Sequence, residues 1–450
     1  LCLFEKQHQE PFAPGVCRVK VLLLSIFHPE LVRGGAQQVA YELFQGLNAR
    51  PDMEAVFLAV IDQSQGAYYK SGACITGFDG RRNEFLLLGR GYDYWWHKMS
   101  DARVLEAYAA LLREIRPEVV HFHHFLLFGI DLITFTRQVL PHARIVFTLH
   151  EFLPICEAQG HMLRVHDKAL CTRASPARCN QCFPERGPEA FFLRELWVKR
   201  HFDAVDIFTT PSRFMIEHYV TWGLARARLR HVANGQPNYA GGAVAADAAR
   251  GRRTRFGFFG QLVDDKGVWL ILEAVQLLRA EGFGDFVVEI NGENLRYASP
   301  ARRAEIEAFQ QAEAALKPEA RLVRFNGGYE VSQLGSRMGR VDWCVVPSVW
   351  WETFALVISE AWMFGRPVIC SDIGAMRERV RDGVDGLHFA AGDARSLAHT
   401  MRRAATEDGL WEGLVAGIEV PAGREAMVEG MIGVYQQSAA CQISRLSEMA

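Results

Sequence analysis

Short apolar runs recur along this chain of 450 residues, each followed by a loop and a stretch of helical length. The clearest is Val19 to Ile26, VKVLLLSI, which is apolar at both parities of an extended strand. A strand apolar on both faces must be covered on both, the condition of a parallel sheet held between helices. Ala143 to Leu149, Ala204 to Thr210, the run ending at Phe259, the FVVEIN run at 286–291 and Cys344 to Pro347 repeat the pattern. Strand–helix alternation through both halves predicts an α/β protein with two doubly wound domains. Such sheets bind ligands beyond the carboxyl ends of their strands.

The length suits two or three domains, and a hydrophobic share of 49% is enough for sizeable cores. Net charge is −2 with no basic stripe, which argues against a nucleic-acid partner. No run of 18 apolar residues occurs, so no spanning helix is expected. The first residues lack a basic region followed by a long apolar core and read poorly as a signal peptide. Ten cysteines are scattered, several inside apolar strands, which points to a reducing, cytoplasmic setting. Residues 1–18 read as a tail and 19–235 as the first domain. The segment 236–253, QPNYAGGAVAADAARGRR, is rich in Ala and Gly and reads as a linker. Residues 254–415 form the second domain, and 416–450 a final helix, at about 422–438, with a tail.

Several loops at strand ends carry candidate chemistry. Between Cys344 and Gly374 the chain reads strand, loop, helix, strand, loop, with a helix expected over Thr353–Phe364 and Gly365 as its cap. Glu352 stands at the helix start and Glu360 eight residues on, about 12 Å along a helix axis. Carboxylates so spaced hold two parts of one long ligand rather than attack one atom. The helix N-terminus between them offers unpaired N–H groups that suit a phosphate. Taken alone, Glu352 would simply cap the helix and Glu360 face solvent. Gly34 and Gly35 meet a helix start after the first strand, where glycine permits close approach and positive φ, or a plain turn. Lys266-Gly267 opens a helix after the strand ending at Phe259, where Lys266 would meet a phosphate or lie on the surface. Asp264-Asp265 resembles a metal pair, and His121, His123 and His124 a metal cluster, but no carboxylate or cysteine accompanies the histidines.

The row PS-x(3)-ETFALVISEAWMFGRPVICSDIG, with VDWCVVPS before it and DGVDGLHFAAGD after it, resembles the signature of the retaining family 4 glycosyltransferases, which have the GT-B fold. The resemblance covers residues 19–415. It implies two Rossmann-like domains facing a central cleft, with the acceptor on the first, the nucleotide-sugar donor on the second, and the last helix crossing back. It places Glu352 and His123 by the donor sugar, His124 being the neighbour most easily confused with it. Glu360 would hold the ribose hydroxyls, and Phe354 with the amides of Ala355, Leu356 and Val357 would face the diphosphate. Gly34 and Gly35 of RGGAQQV would border that diphosphate, Lys266 would oppose its charge, and Tyr329 would approach the base. Two departures stand out. Ala355 occupies a position where many members carry Gly, and its methyl would narrow the sugar pocket. Gln261 replaces an Arg, keeping a hydrogen-bond donor but no charge.

The implied activity is retaining transfer of a sugar from a nucleotide-diphosphate sugar to an acceptor hydroxyl of a glycan, glycolipid or small molecule, in cell-surface glycan assembly. The family mechanism is drawn as same-face attack with the leaving phosphate taking the proton, so no base is assigned and no cofactor is required for catalysis. A sugar-nucleotide epimerase of related fold and a non-catalytic nucleotide-sugar binder are the alternatives.

Two stretches remain. Cys156, Cys171, Cys179 and Cys182 are spaced C-x14-C-x7-C-x2-C. Four thiols ending in a knuckle spacing suit a structural zinc that pins a long loop, with unbound or redox-labile thiols as the alternative. The segment 187–202, GPEAFFLRELWVKRHF, reads as an amphipathic basic-aromatic helix, core-facing or in peripheral contact with the inner membrane face.

Overall fold

The computed structural model describes residues 18–65, 67–68, 72–236 and 251–436. The N-terminal tail up to 17, most of the expected linker (237–250) and everything past 436 lie outside the described residues. Contacts divide the chain into two compact units: residues 1–148 with 199–207 and 432–450, and residues 149–198 with 208–431.

The first unit is built on β1 (Val19–Ile26), β2 (Met53–Ile61), β3 (Ile75–Gly77), β4 (Glu84–Leu88), a small ladder β5 (Tyr92–Asp93) with β6 (Lys98–Met99), β7 (Val119–Phe122) and β8 (Arg144–Thr148). The order is β8-β7-β1-β2-β4-β3, with β5–β6 apart. β1 pairs in parallel with both β2 and β7, and only β3 runs antiparallel in this sheet. Residues Val21 to Leu24 are fully buried, as a strand apolar at both parities requires. The helix Gly35–Asn48 buries Val39, Ala40, Leu43 and Leu47, the positions with helical spacing.

The second unit contains residues 208–210 of β9 (Ile207–Thr210), paired in parallel with β10 (Leu229–His231). Its main sheet uses β11 (Arg255–Phe259), β12 (Val287–Asn291), β13 (Val323–Gly327), β14 (Trp343–Val346), β15 (Val368–Ser371) and β16 (Gly386–Phe389). Their order is β13-β12-β11-β14-β15-β16, every pairing parallel. The two-residue period of a strand sorts its core in two. On β14, Trp343 and Val345 join the cluster that holds the helix Val268–Ala280, whereas Cys344 and Val346 join Ile358 and Ala361 from the opposite layer. The order reverses between β11 and β14, the kind of switch point beside which sheets of this class bind ligands.

Two expectations change. The Asp-Gly pairs of DGVDGLHFAAGD suggest a hairpin-like turn from sequence alone; instead Gly386–Phe389 is the edge strand β16, parallel to β15, because Leu387 and Phe389 are buried in the sheet core. The helix expected from Thr353 begins at Leu356 and ends at Met363, because Ala355 takes a left-handed conformation at its N-cap (φ 58, ψ 76).

Candidate active site

The loops after β11 and β14 meet in the second unit. The short turn Asp264–Lys266 ends at Gly267, whose φ is +69. A Cβ on Gly267 would lie 2.0 Å from the carbonyl oxygen of Pro347, so only glycine lets the two loops come this close. The approach delivers Lys266 onto Glu352, with Nζ 2.6 Å from Oε1. The same carboxylate oxygen accepts from Ser348 Oγ at 2.7 Å and Trp350 Nε1 at 2.9 Å. Glu352 is buried, which by itself pushes its carboxyl up. The charge and hydrogen bond of Lys266, with the bonds from Ser348 and Trp350, outweigh burial and hold it below its ordinary value. Glu352 is therefore a fixed, ionised carboxylate.

The turn that follows is shaped from below by Arg379, at the end of the helix Gly374–Arg379. Its Nη1 donates to the carbonyl oxygens of Phe354 (2.7 Å) and Ala355 (2.9 Å), and Nη2 donates to Ser359 Oγ (2.5 Å). The guanidinium carbon lies 3.7 Å from the centre of the Phe354 ring. Burial lowers the Arg379 pKa to about 9, so the group carries its charge at neutral pH without an ion-pair partner at the turn. A left-handed Ala costs about 1–3 kcal/mol, and these contacts are what hold it. No side chain caps the helix Leu356–Met363. Leu356 and Val357, which carry its first amides, are half-buried residues, and an uncapped helix start of this kind suits an anion.

The other expected residues fall as follows. Glu360 sits half-buried on the same helix. Phe354 is buried beneath the turn, against Arg379. Gln261 is exposed in the loop after β11. Tyr329 lies edge-on to Phe259 (ring centroids 5.9 Å apart) under the guanidinium of Arg337. The structure thus brings Lys266 to Glu352 and strings Phe354 to Glu360 along one turn and helix. Asp264 and Asp265 do not act as a pair: Asp264 accepts from the Ser299 amide (2.9 Å), and Asp265 pairs with His161 Nδ1 (2.7 Å).

In the first unit, His123 follows β7 directly and is buried, its amide bonded to Leu24 O at 2.8 Å. His121 is bonded to Tyr435 Oη and Thr148 Oγ1, both at 2.7 Å, and His124 Nδ1 accepts from the Leu126 amide. Among the described residues no group of three His, Cys, Asp or Glu is placed to hold a metal ion. Gly34 caps the helix Gly35–Asn48 with φ −167, ordinary extended backbone, and Gly35 is its first residue. The positive φ expected of this pair is absent, and the Gln37 side chain packs against Gly34, where a Cβ would stand 2.3 Å from its Oε1.

Sequence reasoning missed Arg379, Ser348, Trp350 and the His161–Asp265 pair. Ser348 and Trp350 lie within four residues of Glu352 and could have been found as donors for a buried carboxylate. Nothing local marks Arg379 or His161, which reach the site only through the fold.

The helix Pro188–Phe202 buries Phe191 and Val198, while Phe192, Leu193 and Leu196 are about half exposed. No helix among the described residues is long and apolar enough to cross a membrane.

Two family models match the chain: "Glycosyltransferase Family 4" over residues 33–236 and "Glycosyl transferases group 1" over 253–407. A phosphatidyl-myo-inositol mannosyltransferase of Mycobacterium leprae is 34% identical over 105 residues, 23% of this chain and 27% of that protein. The chain spans only 27%, 26% and 23% of the lengths of the first three curated relatives it matches. Among solved structures, the sucrose-phosphate synthase of Thermosynechococcus elongatus aligns with a TM-score of 0.64 at 17% identity, covering 94% of this chain and 100% of that one. Anabaena Alr3699/HepE in complex with UDP and glucose aligns with a TM-score of 0.60 at 16% identity, over 95% and 100%. Likeness at this identity establishes the fold, which is GT-B.

Proposed function

We propose that this chain, a GT-B protein matched along most of its length by two glycosyltransferase models, is a retaining glycosyltransferase that moves a hexosyl group from a nucleotide-diphosphate sugar to an acceptor hydroxyl. The observation that carries the reading is the turn between Glu352 and the helix Leu356–Met363. An ionised carboxylate, a left-handed residue and an uncapped helix start follow one another there, with Lys266 alongside.

The chemistry follows from charge. The departing diphosphate gains negative charge, which the helix amides and the Lys266 ammonium oppose. Because Lys266 is already bonded to Glu352, the donor shares that ammonium rather than capturing it. In this reading Glu352 steadies the positive charge that develops at the anomeric carbon, and His123 is assigned a part in the same step by the family resemblance alone. Glu360 takes the ribose hydroxyls. The acceptor is a hydroxyl of a glycan, glycolipid or small molecule, and the exposed Phe192, Leu193 and Leu196 would suit peripheral contact with a membrane that carries a lipid-linked one.

The test is incubation of the full chain with a panel of nucleotide-diphosphate sugars, with and without acceptors. Nucleoside diphosphate should appear only when donor and acceptor are both present, and the product should keep the donor's anomeric configuration by NMR. Glu360→Ala should mainly raise the donor KM and His123→Ala should lower kcat. Interconversion of a sugar nucleotide without acceptor would assign an epimerase instead, and binding without turnover would assign a binding protein.

A further inference from the structure

The segment between β8 and the helix Pro188–Phe202 is long and poorly furnished with its own structure. Among the described residues it has an isolated bridge, Leu163 to Leu170, and a seven-residue helix, Pro176–Cys182, that buries none of its side chains. Three of the ten non-glycine residues at positive φ among the described ones, Gln159, Met162 and Lys168, also fall here. Phe152, Leu153, Ile155, Met162 and Leu163 are buried, but no residue from 164 to 187 is, and a chain this long with so little regular structure needs an anchor. Yet it is held in place beside the candidate site. Trp351 Nε1 donates to the carbonyl oxygen of Cys171 (3.1 Å), and His161 reaches both Asp265 (2.7 Å) and the edge of the Trp350 ring (centroids 4.8 Å).

Cys156, Cys171, Cys179 and Cys182 line one pocket of about 290 Å³ in this segment, and Arg164 and Arg178 line it too. Cys179 and Cys182 are three apart on the helix Pro176–Cys182, so their side chains share a face. All four are unbridged and half-buried. We propose that these four cysteines form a tetrathiolate zinc site that pins the 150–186 segment against the turn bearing Glu352.

The pocket has the composition this needs. Four thiolates around Zn²⁺ carry a net charge of −2, and two guanidinium groups line the same wall. Zinc binding replaces four S–H bonds by four Zn–S bonds and releases the four protons to the buffer, with no change of oxidation state. The four cysteines line the pocket, and among the described residues no three of them are already gathered in the arrangement of a metal site. The proposal requires the cysteine side chains to turn inward between staggered wells when the metal binds.

The experiment is elemental analysis of the full chain purified under reducing conditions without chelators. About one zinc per chain is expected, falling to a small fraction in Cys179→Ser/Cys182→Ser. Because that variant could fail to fold, wild-type protein stripped by a chelator is also titrated with Co²⁺. A tetrathiolate site then shows sulfur-to-cobalt charge-transfer absorption with tetrahedral d–d bands, and Zn²⁺ displaces it with a stoichiometry of about one. No zinc and no cobalt bands, or a Cys179–Cys182 disulfide in the freshly purified protein, would overturn the proposal. None of these readouts depends on sugar transfer.

Discussion

Replacing Lys266 by Met keeps much of the side-chain volume and removes the ammonium 2.6 Å from Glu352 Oε1. At that distance the bare attraction at an effective dielectric of 20 is roughly 6 kcal/mol, most of it offset by desolvation of the carboxylate. Lys266 is 32% exposed, so solvent screens it further, and the net loss should sit near that of one charge-assisted hydrogen bond, about 2 kcal/mol. The pH dependence identifies the cause. In the wild type the folded pKa of Glu352 lies below its reference value of 4.5, so this group's stabilisation is present above 4.5 and is lost as pH falls through the folded value. Without Lys266, burial is opposed only by Ser348 and Trp350, and the folded pKa moves up. The deficit of Lys266→Met should therefore be full at pH 7.5 and should shrink as pH falls toward 4.5. Calorimetric melting of both proteins across pH 4.5–7.5 reads this out, with a shift of roughly 4 °C expected at pH 7.5. Equal melting temperatures at pH 7.5, or a gap that widens on acidification, would refute the ion pair as the source of the fixed carboxylate.

Two further outcomes follow from the same geometry. Arg379→Ala leaves the carbonyl oxygens of Phe354 and Ala355 without their donor, and should cost about 2–4 kcal/mol and weaken nucleoside-diphosphate binding at least tenfold by calorimetric titration; Arg379→Lys should recover part of the affinity, and full affinity in the Ala variant would dismiss its role at the turn. Gly267→Ala places a methyl against the Pro347 carbonyl at positive φ, and should lower stability by about 3 kcal/mol or more in denaturant unfolding, where a change under 1 kcal/mol would show that the loops separate freely.

What was legible in the sequence was whatever a short window determines. β1 spans Val19–Ile26 as its apolar run predicts, and the helix after it starts within a residue of expectation, because burial on both faces and 3.6-residue spacing are local signals. Glu352 and Lys266 were legible as candidates through the motif around each, and their direct pairing was not. That pairing depends on β11 and β14 being neighbours and on one glycine's fit against a carbonyl 80 residues away. The helix start was misplaced because no Pro or Gly interrupts Thr353 to Phe364, whereas Arg379, distant in sequence, holds Ala355 in a left-handed turn. The edge strand Gly386–Phe389 was hidden by its two flanking turn signals, Asp382-Gly383 and Asp385-Gly386. Gly34 illustrates the opposite error, since a glycine at a helix start need not use positive φ.

The most direct test is calorimetric titration of the full chain with uridine, guanosine and adenosine diphosphates, alongside Glu360→Ala. One nucleotide should bind with a stoichiometry of about one and raise stability by about 2.7 kcal/mol at a hundredfold excess over its Kd, and Glu360→Ala should weaken it about tenfold or more. Binding by none of the three, or equal binding by the variant, would contradict a diphosphate seated on the turn between Glu352 and Leu356.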